Sequence, residues 1–194
     1  HNISILSVEG VGFKPYVAIC NALNISWVLR TDNDIFSKTS VTPVKKYYAG
    51  ISRGIGIVKD IGDNKTGLIE YWNQHSKENE WPKDAEIPEE AKKLNEYIRT
   101  NIKDLGIFLS DVDLENDLAS SELKDTLMNH YGKRDHDDLV NAMQKKKAEN
   151  MMEFLTKNHK ELSCLEESKI VEPLTSLIRI TTERTRPDNG ERTN

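Results

Sequence analysis

The sequence predicts an α/β fold, a parallel sheet flanked by helices with a helical carboxyl-terminal part, and three observations predict it. Compact apolar runs of strand length stand at residues 3–8, 26–31 and 105–109. The stretches between and after them carry apolar residues at helical intervals. Each run also ends in acid: Glu9, then Asp32 and Asp34, then Asp111, Asp113, Glu115 and Asp117. In α/β sheets, ligands gather beyond the carboxyl ends of the strands, so the chemistry is expected at that edge.

Ile3, Ile5, Leu6 and Val8 make the first expected strand, which stops at Glu9 and Gly10. Gly12 and Pro15 lead into a helix from Tyr16 to Leu23, and Trp27, Val28 and Leu29 form the second strand, closing a βαβ unit. Thr42 before Pro43 reads as a helix start, a capping hydroxyl ahead of a first-turn proline, so a helix is expected over 44–61. Gly50, Gly54 and Gly56 weaken it, and they lack the preceding strand and lysine-serine ending of a phosphate loop. Residues 62–88 turn polar and read as a variable insertion, with a short helix or strand around Leu68, Ile69, Tyr71 and Trp72.

Glu89 and Glu90 favour the start of a helix over 88–104, apolar along Ala91, Leu94, Tyr97 and Ile98, and the third strand follows. Helices are then expected from Ser120 to about Tyr131, from Asp137 without interruption through Met143, Met151, Met152 and Leu155, and over 167–180. The organisation is thus a core over 1–118, a helical part over 119–180 and a polar, poorly ordered tail over 181–194.

Composition narrows the class. With 37% hydrophobic and 30% charged residues, the chain reads as a soluble globular protein. No apolar run approaches the roughly 18 residues that suggest a membrane span, and no signal peptide is evident, so a cytoplasmic location is expected. Cys20 and Cys164 read as buried free thiols, and the five histidines, His1, His75, His130, His136 and His159, show no zinc-ligand spacing. A net charge of -5 argues against a protein that coats nucleic acid. It leaves room for a nuclease, whose metal site is itself acidic, because basic residues cluster at Lys45-Lys46 beside two tyrosines, at Lys133-Arg134 and at Lys145-Lys146-Lys147.

Asp32 and Asp34 are the leading candidates. Where the chain turns off the sheet edge, carboxylates one residue apart can converge on one divalent cation. Glu9 reads either as a third oxygen ligand or general base, or as a surface carboxylate in a tight turn. Glu115 and Asp117 lie beyond the third strand and suit a second ligand set; two cations about 3.5–4 Å apart would stabilise attacking and leaving oxygens in a phosphodiester cleavage. Asp111 and Asp113 read better as helix-start acids. Lys147, four residues from Met143 and from Met151, would carry its stem across apolar surface and its amine into a cleft. Lys145 is nearly as well placed.

These segments together, Ser7 to Tyr16, Asp32-Asn33-Asp34 after an apolar strand, Phe108-Leu109-Ser110 leading to Leu114-Glu115-Asn116-Asp117-Leu118, and the distal lysine helix, resemble the carboxyl-terminal topoisomerase-primase (TOPRIM) domain of OLD-family nucleases over about residues 1–158. The resemblance implies a TOPRIM-like, Rossmannoid parallel sheet and an endonuclease cutting double-stranded DNA with magnesium or manganese. It implies metal binding by Asp32 and Asp34, completion of the site by Glu115 and Asp117, and phosphate chemistry assisted by Lys147. It further implies an amino-terminal ATPase domain, a homo-oligomer and, in anti-phage defence systems, a helicase-like partner.

In this family the first glutamate lies on an earlier strand, well ahead of the Gly-x-Gly-Phe segment, and that strand is expected to be absent here. Either Glu9 serves in its place or, as the start at His1 leads us to expect, the chain is a carboxyl-terminal fragment of a longer polypeptide. Two competing readings are a primase- or topoisomerase-type TOPRIM unit and a non-catalytic interaction or regulatory domain.

Overall fold

A computed structural model describes residues 3–8, 12–62 and 67–185. Its centre is a parallel pair, β1 (Leu29–Thr31) and β5 (Ile107–Leu109), in the register Leu29↔Ile107, Arg30↔Phe108, Thr31↔Leu109. Helices α1 (Lys14–Ala22), α2 (Ala49–Ile61) and α4 (Glu89–Lys103) assemble around it. Ile51, Ile55 and Val58 of α2 meet Leu94, Ile98 and Ile102 of α4 and Ile107 of β5, all fully or almost fully buried. Each such side chain contributes about 1.5–3 kcal/mol of hydrophobic stabilisation. Gly54 lets α2 and α4 come close, since a Cβ there would stand 3.0 Å from Ile102 Cδ1.

A second, antiparallel sheet has the order β2 (Ile35–Lys38), β3 (Lys45–Tyr48), β4 (Trp81–Pro82). It corrects the helix expected from Thr42. Pro43 follows a cis peptide between β2 and β3, and α2 starts only at Ala49. Tertiary pairing overrides the capping signal: Tyr48 is buried against Trp81, with ring centroids 5.3 Å apart. Trp81 belongs to the stretch read as a variable insertion. There, α3 (Leu68–His75), a 3-10 turn and β4 are built into the first core, with Leu68 and Trp81 each 1% exposed.

Residues 3–8 form no strand, a second correction. Among the described residues β1 pairs only with β5, leaving the apolar run without a ladder; Ile5 is 92% and Leu6 63% exposed. Glu9, with residues 10 and 11, lies outside the described residues.

The helical part comprises α5 (Leu114–Ala119), α6 (Lys124–Tyr131), α7 (His136–Gln144), α8 (Lys147–Asn158), a 3-10 segment and α9 (Glu172–Thr185). Leu123, Leu127, Leu139, Met143, Phe154 and Leu165 form its own core. The expected uninterrupted helix is broken: Lys145 is extended and Lys146 is left-handed with φ 48°. Helix α9 runs into the start of the expected tail, and residues 186–194 lie outside the described residues. Cys164 is exposed and Cys20 half-buried, so neither thiol has the full burial expected, though both are free. Among the described residues no helix is long and apolar enough to cross a membrane.

Candidate active site

The parallel pairing continues past the strand ends and carries two acidic loops side by side. Ser110 N–H donates to Thr31 O at 3.1 Å, and Asn33 N–H donates to Val112 O at 2.7 Å. Between the two aspartates, Asn33 turns inward. It is 1% exposed; its Nδ2 donates to Asn95 Oδ1 at 2.8 Å and its Oδ1 accepts from Ile51 N–H at 3.2 Å. Burying Asn33 with both amide atoms paired leaves Asp32 and Asp34, its neighbours, half-buried at the surface.

The start of α2 braces this loop. Ala49 N–H donates to Asp34 O at 2.9 Å. At Gly50 the backbones touch: a Cβ would lie 2.5 Å from Asn33 Oδ1 and 2.6 Å from Asp32 O. Arg53, one turn further, donates through Nη1 to Asp32 O at 3.1 Å and to Thr31 Oγ1.

The facing loop leads into α5. Asp113 is its cap, with Oδ1 accepting from Asn116 N–H at 2.7 Å, while Oδ2 accepts from Gln144 Nε2 at 2.9 Å. Glu115, the second residue of α5, has a side chain only 11% exposed, and Lys147 Nζ sits 2.8 Å from its Oε1. The left-handed turn at Lys146 starts α8 at Lys147, so the break in the helix and the ion pair occur together. Lys146 instead pairs with Glu149 at 3.0 Å.

The electrostatics show one shared field. Burial pushes the Asp32 carboxyl above the usual carboxylate range, and the charges of Asp34, Asp113 and Glu115 push it further, against Lys147. Burial likewise raises Asp34, with Asp113 and Glu115 adding and Arg53 and Lys147 opposing. The hydrogen bond to Glu115 raises Lys147 above the ordinary lysine value, opposed by burial and aided by the charges of Glu115, Asp113 and Asp32. Of the residues singled out in the sequence, Asp32, Asp34, Glu115 and Lys147 therefore act on one another. Asp113, read as a helix-start acid, caps α5 and also belongs to the field.

Asp117 faces elsewhere. It pairs with Arg30 and accepts from Asp111 N–H at 3.0 Å, in a groove of about 330 Å3 also lined by Arg99, Lys103 and Lys169. The reason is helical: residues two apart point to nearly opposite sides, so Glu115 and Asp117 cannot share one site from the same turn. Sequence reasoning missed Arg53 altogether, and nothing local announces it, because its partner is the carbonyl of a residue far away in sequence. Among the described residues no three Asp, Glu, His or Cys side chains already converge as a metal-holding group.

Two comparisons bear on this arrangement. The family model for the TOPRIM domain of overcoming lysogenization defect (OLD)-like proteins matches residues 1–34, a span that ends at Asp34. The chain is also 29% identical over 184 residues to Endonuclease GajA of Bacillus cereus (strain VD045), covering 84% of this chain and 29% of that protein. The chain thus spans less than a third of the length of this curated relative. The resemblance read from the residues is met again in both comparisons, and the mixed α/β architecture with a parallel pair flanked by helices agrees with it.

Proposed function

We propose that this chain is the catalytic TOPRIM domain of a divalent-metal-dependent DNA endonuclease, with Asp32, Asp34, Glu115 and Asp113 as its acidic centre and Lys147 as its cation. The observation that carries the reading is the meeting of acids from two parallel strand ends in one field, with Lys147 Nζ 2.8 Å from Glu115.

The donor chemistry fits a hard cation. Every candidate ligand is a carboxylate oxygen, which suits magnesium or manganese and not zinc. Asp32 and Asp34 would hold the ion, with Glu115 completing its shell once Lys147 moves aside; Glu9 is the further ligand of this reading. A bound divalent ion supplies polarisation of a phosphoryl oxygen and a more acidic water. The chain's own residues do the rest. Asn33, Gly50 and Arg53 fix the Asp32–Asp34 loop, Asp113 fixes the start of α5, and Lys147 neutralises charge developing on the phosphate. Asp117, held by Arg30, supports the Asp111 loop from behind.

GajA is named an endonuclease, and by extension we propose that the whole protein cuts double-stranded DNA in the cytoplasm as part of an anti-phage defence of the Gabija type. An amino-terminal ATPase domain, homo-oligomerisation and a helicase-like partner belong to the same proposal. A second reading, a non-catalytic interaction domain, is favoured by one observation: among the described residues no three ligand side chains have converged. Plasmid cleavage with manganese or magnesium, by the protein and by Asp32→Ala, separates the two. Cleavage lost in a folded variant supports the nuclease; no cleavage and no metal binding by either leaves the interaction domain.

A further inference from the structure

We propose that the outward face of the β2–β3 hairpin is a track for the DNA backbone beside the acidic centre; the inference rests on the nuclease reading. Strand β2 starts at Ile35, immediately after Asp34, so the hairpin is continuous with the site. At about 3.3 Å per residue, Lys38 stands about 13 Å along the strand from Asp34. That length of duplex carries about eight phosphate charges.

The hairpin is built for such a neighbour. Residues 35–48 contain Lys38, Lys45 and Lys46 and no acid, within a chain of net charge -5. The register pairs Phe36 with Tyr47 and Lys38 with Lys45. Because side chains alternate, these four share one face, while Tyr48 on the other is buried against Trp81. Phe36 is 46% exposed and meets the Tyr47 ring edge-on, with centroids 6.5 Å apart. An exposed Phe36 ring beside lysines matches the two things a DNA backbone offers, sugar surface and phosphate charge.

One acid restrains this face. Glu80, one residue before β4, accepts from Lys38 at 2.6 Å and from Lys45 at 3.1 Å. It holds the two ammonium groups side by side and cancels one of them. With two lysines against one glutamate, the remaining charge of this cluster is positive.

The test is the affinity of the protein for a fluorescent duplex of about 30 base pairs, in chelator so that no cleavage occurs, read at several salt concentrations. Glu80→Gln is expected to tighten binding severalfold and steepen its salt dependence, because both lysines become free. Lys45→Gln is expected to weaken binding severalfold and lower the slope by about one. Phe36→Ala is expected to weaken it severalfold with the slope unchanged. A Glu80→Gln protein that binds no tighter, with Phe36→Ala equal to the parent, would overturn the track while leaving the nuclease reading intact. A parent protein that binds acidic peptides but no duplex in chelator, and cuts none with metal, overturns both.

Discussion

Lys147 Nζ lies 2.8 Å from Glu115 Oε1, tying the first residue of α8 to a glutamate turned into the fold from α5. The pair is asymmetric: the lysine side chain is 60% exposed and the glutamate 11%. Such a lysine can leave its partner for a ligand at modest cost, while the glutamate has little water to fall back on. In the proposed site, Lys147 therefore holds the place beside Glu115 that a metal would take.

Replacing Lys147 by Ala is expected to lower cleavage about 100-fold or more, the usual cost of losing one fixed charge-stabilising group. Lys146→Ala removes only an exposed pair with Glu149 and is expected to leave the rate within about twofold. Initial rates of plasmid nicking compare them, and equal losses would refute the assignment.

Asp32→Asn should stabilise the metal-free protein while abolishing cleavage. The sign follows from the raised carboxyls. A group that binds its proton more tightly folded than unfolded makes stability fall as pH rises through its folded pKa, so at neutral pH ionised Asp32 costs stability. Removing that charge is expected to gain under about 1 kcal/mol at this half-buried position. Magnesium or manganese should raise the melting temperature of the parent and not of the variant. Thermal unfolding with and without chelator reads both effects.

Gly50→Ala is expected to cost about 1–3 kcal/mol, since the new methyl meets backbone of Asp32 and Asn33 that cannot swing away. Cleavage should fall with it, because the displaced atoms belong to the loop of the proposed metal site. Denaturant unfolding gives the stability and the nicking assay the activity.

Arg53→Ala should lower cleavage about tenfold through loosening of the Asp32 carbonyl and Thr31 hydroxyl, with melting little changed. Arg53→Lys, which can reach one of the two acceptors, is expected to recover part of the rate.

Glu80 offers a pH signature. Hydrogen bonds from Lys38 and Lys45 hold its carboxyl below the ordinary value of 4.5. A depressed carboxyl contributes stability above its unfolded pKa and loses it as pH falls through the folded one. Between neutral pH and acid, the stability of Glu80→Gln should therefore fall less steeply than that of the parent, as followed by melting temperature.

Short-range chemistry in the chain was enough to place β5, α4, the Asp32–Asp34 loop after a strand and Glu115 after another, because strand patterning, helix starts and strand-end acids are written in neighbouring residues. The opposed directions of Glu115 and Asp117 were also available from their two-residue spacing on a helix. Other features needed the folded molecule. Ile3 to Val8 has strand chemistry but no ladder among the described residues, and Tyr47 and Tyr48 become strand because Phe36 and Ile35 stand across from them and the Tyr48 ring packs against Trp81. Lys146 adopts a left-handed turn with neither glycine nor proline to announce it. Asp113 reads correctly as a cap, and only the pairing of β1 with β5 brings its charge to Asp32 and Asp34. Arg53 joins the loop across 21 residues of sequence. What the sequence by itself determined is which residues can carry metal and phosphate chemistry; which of them meet is decided by tertiary structure, since burial and Coulomb energy depend on distances that local pattern does not contain.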